Sequence, residues 1–303
     1  MWNRDLKLKC GIIAVTGMSA FVLLVMHGMR FDYASAAKAG GTIGLLAPFA
    51  VVFANRRIDV FANLLTGFLC MVGFNLCLAV LTYAGTPLNA PLADRWLMKL
   101  DHSLGVHLPS IVEWMSEHPS LRRAFGFAYA SVLPSTLLAL IVLGFDRNVQ
   151  RLREFVFHFM LAGLLTTLVF FVLPAAGPFA SYGYDMRPDQ QRFLEHFQQL
   201  RDGRFPVVSM SNLEGLITFP SFHTSWAVLL IIAFRHYRWL FVPMAVVNVG
   251  VVLSTMTTGW HYASDVIGGL LIVAASWAIT RCVMRWTTQD SDTAQSTCPI
   301  TTG

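Results

Sequence analysis

"MWNRDLKLKCGIIAVTGMSAFVLLVMHGM", residues 1–29, begins with a short basic flank, and from Gly11 onward it carries no Asp, Glu, Lys or Arg. An apolar run of about 18 residues or more can cross the ~30 Å hydrocarbon layer of a bilayer as one helix. No small-residue cleavage pattern closes this run, so it reads as a retained first span and not as a removable leader. The basic flank also sets direction, because Lys and Arg collect on the inner side of a membrane.

Seven further stretches repeat the pattern, at roughly 36–54, 61–83, 124–144, 152–173, 222–236, 239–258 and 262–283. Composition agrees. The 303 residues are 55% hydrophobic and 13% charged, with mean hydropathy +0.57, whereas a soluble domain carries roughly 25% charged residues. The expected fold class is therefore an all-α, polytopic integral membrane helix bundle of about eight transmembrane helices. Residues 1–286 form a single membrane domain in this reading, with 124–286 as the helix core that carries chemistry. The first long loop, "TPLNAPLADRWLMKLDHSLGVHLPSIVEWMSEHPSLRRA", mixes apolar residues at helical spacing with Trp and charges, which predicts one or two helices in the interface plane. The polar tail 287–303 has no apolar stripe and is expected to be disordered.

With the N-terminus inside, the inner connections hold twelve Lys and Arg, while the short outer ones hold only Arg30 and Lys38. Both long loops, 84–123 and 174–221, then lie outside. Brevity and the simple tail point to a bacterial inner membrane with those loops in the periplasm. The net charge of +5 is explained by the inner cations. No basic run with interleaved aromatics is present, which excludes a nucleic-acid partner. Cys10, Cys70, Cys77, Cys282 and Cys298 form no CxxC pair and no zinc spacing, so neither a disulfide framework nor a cysteine metal site is expected.

Two histidines carry the chemical question. In "TTGWHYASDVIGGLL", residues 257–271, His261 and Asp265 stand four apart at the start of the last span. Residues i and i+4 share a helix face, so the carboxylate can accept from one imidazole nitrogen and leave the other bare. In "TFPSFHTSWAVLL", residues 218–230, Pro220 and Ser221 read as a helix start with Ser221 as N-cap. The free N–H groups there favour an anion, and His223 could protonate a leaving oxygen beside it. Both helices run inward from the outer side, so the histidines lie at similar depth. From the residues alone three readings stay open: catalysis, a polar transport path, and structural capping of helix ends. Ionisable groups in spans are costly and functional by default.

"FPSFHTSW" followed some forty residues later by "GWHYASDVIGG" resembles the type-2 phosphatidic acid phosphatase superfamily of lipid phosphatases and phosphotransferases. The likeness covers the second half of the chain and is closest to the branch that includes the inositol phosphorylceramide synthases. It implies that His261 attacks phosphorus to give a phosphohistidine, that Asp265 orients it, and that His223 is the acid. It also implies that Ser221 helps hold phosphate oxygens. The Arg-Pro of "ASYGYDMRPDQ" matches the end of the family's first motif at Arg187-Pro188, but the lysine position is Ala180. The Ser-Arg pair expected ahead of the second histidine is Ser254-Thr255. A synthase-like branch tolerates both departures, with a proline-rich stretch such as "LPAAGPFASYG" instead. Phosphoryl charge must still be offset, and Arg187 and Arg204 are the candidates.

The implied function is a membrane-embedded lipid phosphatase or phosphotransferase acting on a lipid phosphate ester at the outer face, with water or an alcohol as acceptor. No metal or other cofactor is called for, because side chains supply nucleophile, acid and charge. A lipid transporter or flippase is the alternative from another class, but no internal repeat supports it.

Overall fold

The computed structural model describes residues 4–204 and 207–296. Three long helices come first: α1 (Arg4–Met26), α2 (Tyr33–Asn55) and α3 (Asp59–Gly85). Asp32 caps α2, its Oδ1 accepting from the N–H groups of Ala34 and Ser35. A 3-10 turn, Thr86–Leu88, leads into α4 (Asp94–Ser103), α5 (Leu108–Ser116), α6 (Pro119–Ala130) and α7 (Val132–Gly144). The central helix α8 (Val149–Val172) is followed by α9 (Pro178–Tyr182) and α10 (Pro188–Arg201). Helices α11 (Phe222–Phe234), α12 (Arg238–Thr257) and α13 (Ala263–Ser296) complete the bundle.

The all-α polytopic bundle is what the chain forms. Among the described residues six helices are long and apolar enough to cross a membrane, and α6 with α7 makes a seventh if the pair counts as one span. That pair is bent by 42° within the stretch 124–144 expected as one span. Pro134 explains the break. It lacks the N–H that would bond to the carbonyl of Ala130, and its ring crowds that carbonyl. The sixth expected span, 222–236, is the 13-residue α11, which at ~1.5 Å per residue covers only about 20 Å of the ~30 Å layer.

Helix α8 sits at the centre, packed on α3, α7, α11 and α13. Phe74, Phe159, Met160, Leu230 and Phe234 fill the space between them. In contrast, α2 touches mainly α3, and no residue of it that passes for membrane-spanning is fully buried. Outside the helices, β1 (Arg30–Phe31) and β2 (Val207–Val208) pair in parallel, tying the α1–α2 turn to the loop before α11.

The first long loop contains more helix than expected, and α4 is not merely interfacial. It packs against α9 and α13 with Asp94, Leu97 and Asp101 buried. At the far end, helix geometry continues past the boundary expected at residue 286 as far as Ser296, since extending a helix is easier than nucleating one. The rest of the expected disordered tail, 297–303, lies outside the described residues.

Candidate active site

Ser221 ends an extended segment and caps α11, its Oγ accepting from the Thr224 N–H at 3.2 Å. Its own N–H donates to the carbonyl of Asp265 at 3.0 Å, and Ser225 Oγ donates to the carbonyl of Gly269 at 2.9 Å. The starts of α11 and α13 are thereby joined. The join needs glycine at 269, since a Cβ there would sit 2.5 Å from the Ser221 carbonyl oxygen. His223, the second residue of α11, stacks on Tyr129 with centroids 4.6 Å apart. The His261 ring lies 6.2 Å from it.

His261 belongs to the turn between α12 and α13. Gly259 makes that turn possible with φ +76°, and any Cβ would lie 2.6 Å from the Tyr184 hydroxyl. That hydroxyl donates to the Gly259 carbonyl at 2.8 Å, and Gln190 Nε2 donates to the Thr258 carbonyl at 3.2 Å. His261 Nδ1 stands 2.7 Å from the Thr218 carbonyl and 3.2 Å from Asp265 Oδ2. A carbonyl only accepts, so Nδ1 carries the proton and Nε2 keeps its lone pair. Burial pushes the His261 pKa down to about 4, with the Thr218 contact pulling upward. The imidazole is therefore neutral at neutral pH. Asp265, fully buried, also accepts from the Tyr262 N–H through Oδ2 at 2.9 Å.

Two further carboxylates hold this turn from α4. Asp101 accepts from the N–H groups of Ala263 and Ser264, at 2.9 and 2.8 Å, and so satisfies donors at the start of α13. Asp94 accepts from the N–H groups of Ala176 and Gly177, both at 2.9 Å, and from the Tyr262 hydroxyl at 3.1 Å. Thr218 Oγ1 donates to the Ala175 carbonyl. The proline-rich stretch, the Thr218 carbonyl and the His261 turn thus form one hydrogen-bonded unit.

Both histidines line one cavity of about 530 Å³, together with Tyr129, Arg187, Glu214 and Thr218. Arg187 forms a two-point ion pair with Asp189, at 3.2 Å from Nε and 2.9 Å from Nη2, and lies 5.9 Å from the Trp260 ring. Of the residues singled out in the sequence, the structure brings His223, His261, Asp265 and Arg187 together. Ser221 is adjacent but fully buried, its oxygen used by the cap and absent from the cavity wall. Arg204 does not join them: it is exposed, pairs with Asp202 and does not line the cavity. Among the described residues no group of three or more His, Cys, Asp or Glu is placed to hold a metal ion.

Sequence reading missed Thr218, Tyr129, Asp94 and Asp101. Nothing in a sequence marks a main-chain carbonyl as a histidine's partner, nor a tyrosine 94 residues away as its stacking surface. The α4 pair did leave a signal. Asp94, Leu97 and Asp101 are spaced three and four apart, on one helix face, and that face is the buried one.

A family model described as the PAP2 superfamily matches residues 95–279. No curated protein and no solved structure matches the chain.

Proposed function

The chain belongs to the PAP2 superfamily, and from that premise we propose that it is a lipid phosphatase or phosphotransferase working through a phosphohistidine on His261. The observation that carries this reading is the 2.7 Å contact between His261 Nδ1 and the Thr218 carbonyl. It fixes the tautomer, so the unprotonated Nε2 is the atom available for attack in the cavity shared with His223.

In the first step Nε2 bonds to phosphorus, the P–O bond to the leaving group breaks, and His223 gives that oxygen a proton. Asp265 and the Thr218 carbonyl stabilise the imidazole as it becomes positive. In the second step the acceptor oxygen bonds to phosphorus, the P–N bond breaks, and His223 takes the acceptor's proton. Arg187 offsets charge on the phosphoryl oxygens after exchanging Asp189 for them. The Ser221 cap aims the positive end of α11 at the same place.

The substrate is a lipid phosphate ester that enters from the bilayer, at the face that charge asymmetry assigns to the outside. Because α11 is short, that phosphate meets the histidines below the surface. The missing cations at Ala180 and Thr255 favour the inositol phosphorylceramide synthase-like branch, with transfer of a phospho-headgroup to an alcohol. Arg204, exposed, paired with Asp202 and absent from the cavity wall, is left without a part in the step.

The test is phosphorus release by the purified protein in detergent from a panel of lipid phosphates and phospholipids, with His261→Ala as the blank. Free phosphate that vanishes in the variant identifies a phosphatase. A headgroup-exchanged lipid formed only when an alcohol is added identifies a transferase. Silence with every donor, with and without alcohols, overturns the proposal and returns the transport reading.

A further inference from the structure

A second large cavity, about 610 Å³, opens between α1 and α3, whose residues lie outside the segment matched by the family. Its walls are apolar: Ala20, Leu24 and Val25 on α1, Leu76 and Val80 on α3, and Met210 from the loop before α11. At its narrow end the helices nearly touch, a Cβ on Gly17 lying 3.3 Å from Cys77 Sγ. Phe21, Val25 and Met26 around it are exposed, and on spanning helices such exposure faces hydrocarbon. At the other end stands Arg30, in the turn where α1 leaves the membrane.

We propose that this cavity is a binding site for an anionic phospholipid, one acyl chain lying between α1 and α3 and the phosphate resting on Arg30. A largely apolar space open to lipid takes a hydrocarbon chain in preference to water, which would find few polar partners on its walls, Arg30 and Tyr33 among them. The guanidinium of Arg30 is exposed, and among the described residues no hydrogen bond or ion pair engages it. It lies where headgroups lie, and a phosphate offers it two acceptor oxygens. One class of ligand joins a chain of that character to a charge of that sign.

The occupant would reach the histidine end through the main chain. Met210 is held by its N–H donating to Ser35 Oγ at 2.9 Å, and Ser209 Oγ donates to Asp32 Oδ2 at 2.9 Å. Four residues on, the Glu214 N–H donates to the Tyr83 hydroxyl at 2.7 Å, and Glu214 lines the histidine cavity. The loop continues to Thr218, whose carbonyl holds His261. A chain packed against Met210 therefore braces the segment that orients that imidazole.

Cys77 lines the cavity and reports on it without any assay of activity. The full-length protein in detergent is treated with N-ethylmaleimide, and the rate at Cys77 is read by mass spectrometry against Cys10 as reference. Phosphatidylglycerol tenfold above its Kd should slow labelling of Cys77 about tenfold, while diacylglycerol with the same chains should protect far less. Arg30→Ala should bring phosphatidylglycerol down to the level of diacylglycerol. The exposed side chain makes this a mild change. Running His261→Ala in parallel removes turnover of the lipid, so the outcome does not depend on the proposed reaction. Equal protection by both lipids, or no protection by either, overturns the proposal.

Discussion

The histidine end of the bundle and its N-terminal helices are held by different forces. Around His261, segments far apart in sequence meet through hydrogen bonds: Thr218 to His261, Asp101 to Ala263 and Ser264, Asp94 to Ala176 and Tyr262, Tyr184 to Gly259. Beyond the ties of its first turn to Ser209 and Met210, helix α2 packs mainly on α3, and its membrane-spanning stretch is otherwise exposed. The contrast follows from the surroundings. A helix in hydrocarbon satisfies its own backbone and needs partners only for shape, whereas a buried irregular turn must find a donor or acceptor for each polar group. Tolerance to change should differ in the same way between the two regions.

The largest effect expected is at the proposed nucleophile. His261→Ala should lower turnover by roughly 10³-fold or more, because a covalent route has no substitute nucleophile, and should lower the melting temperature as well, because the Thr218 carbonyl and Asp265 lose a buried partner. Phosphate release and a thermal melt on the same sample check it, and full activity would break the proposed mechanism. Asp101→Ala should act through stability. It leaves the Ala263 and Ser264 N–H groups without their acceptor, at roughly 1–3 kcal/mol for each orphaned group. A lowered melting temperature with activity lost in proportion would sharpen the comparison. An unchanged melt would break it.

Asp265→Asn is expected to cost less than His261→Ala, on the order of 10- to 100-fold, the range seen for residues that orient another ligand. The Thr218 carbonyl still holds the Nδ1 proton, which is why the loss is partial. The pH profile carries the same information. His261 must be neutral to attack, and its pKa is lowered by burial to about 4. Activity limited by that group is therefore retained as pH falls below 6.5 and is lost only as it passes through about 4. An acid limb near 6.5 for a group that vanishes in His261→Ala would contradict the burial. The smallest effect belongs to the other region. Phe49→Leu, on an exposed position of α2, should change stability by no more than about 0.5 kcal/mol. A larger shift in the melt would mean that α2 packs on something besides α3.

Much of the fold was legible because hydrophobic length is a local property. Each of the eight expected segments corresponds to helix, and the exceptions have local causes, Pro134 for the bend and 13 residues for the short α11. Ser221 was readable as a cap because capping involves only the next three residues. Asp265 was readable as a partner of His261 because both lie on one turn of chain. Thr218 escaped for the opposite reason: its contribution is a carbonyl, which every residue possesses. Arg187 and Arg204 were both candidates in the sequence, and packing separated them, one lining the histidine cavity and the other paired with Asp202 on the surface.

By itself the sequence determined that this protein is a bundle of membrane helices and that two histidines stand at helix starts, since apolar run length and capping act over one or two turns of chain. The tertiary structure decided which groups hold those histidines. Asp94 and Asp101 reach the His261 turn across more than 150 residues of chain, through hydrogen bonds that exist only once α4 and α13 have packed.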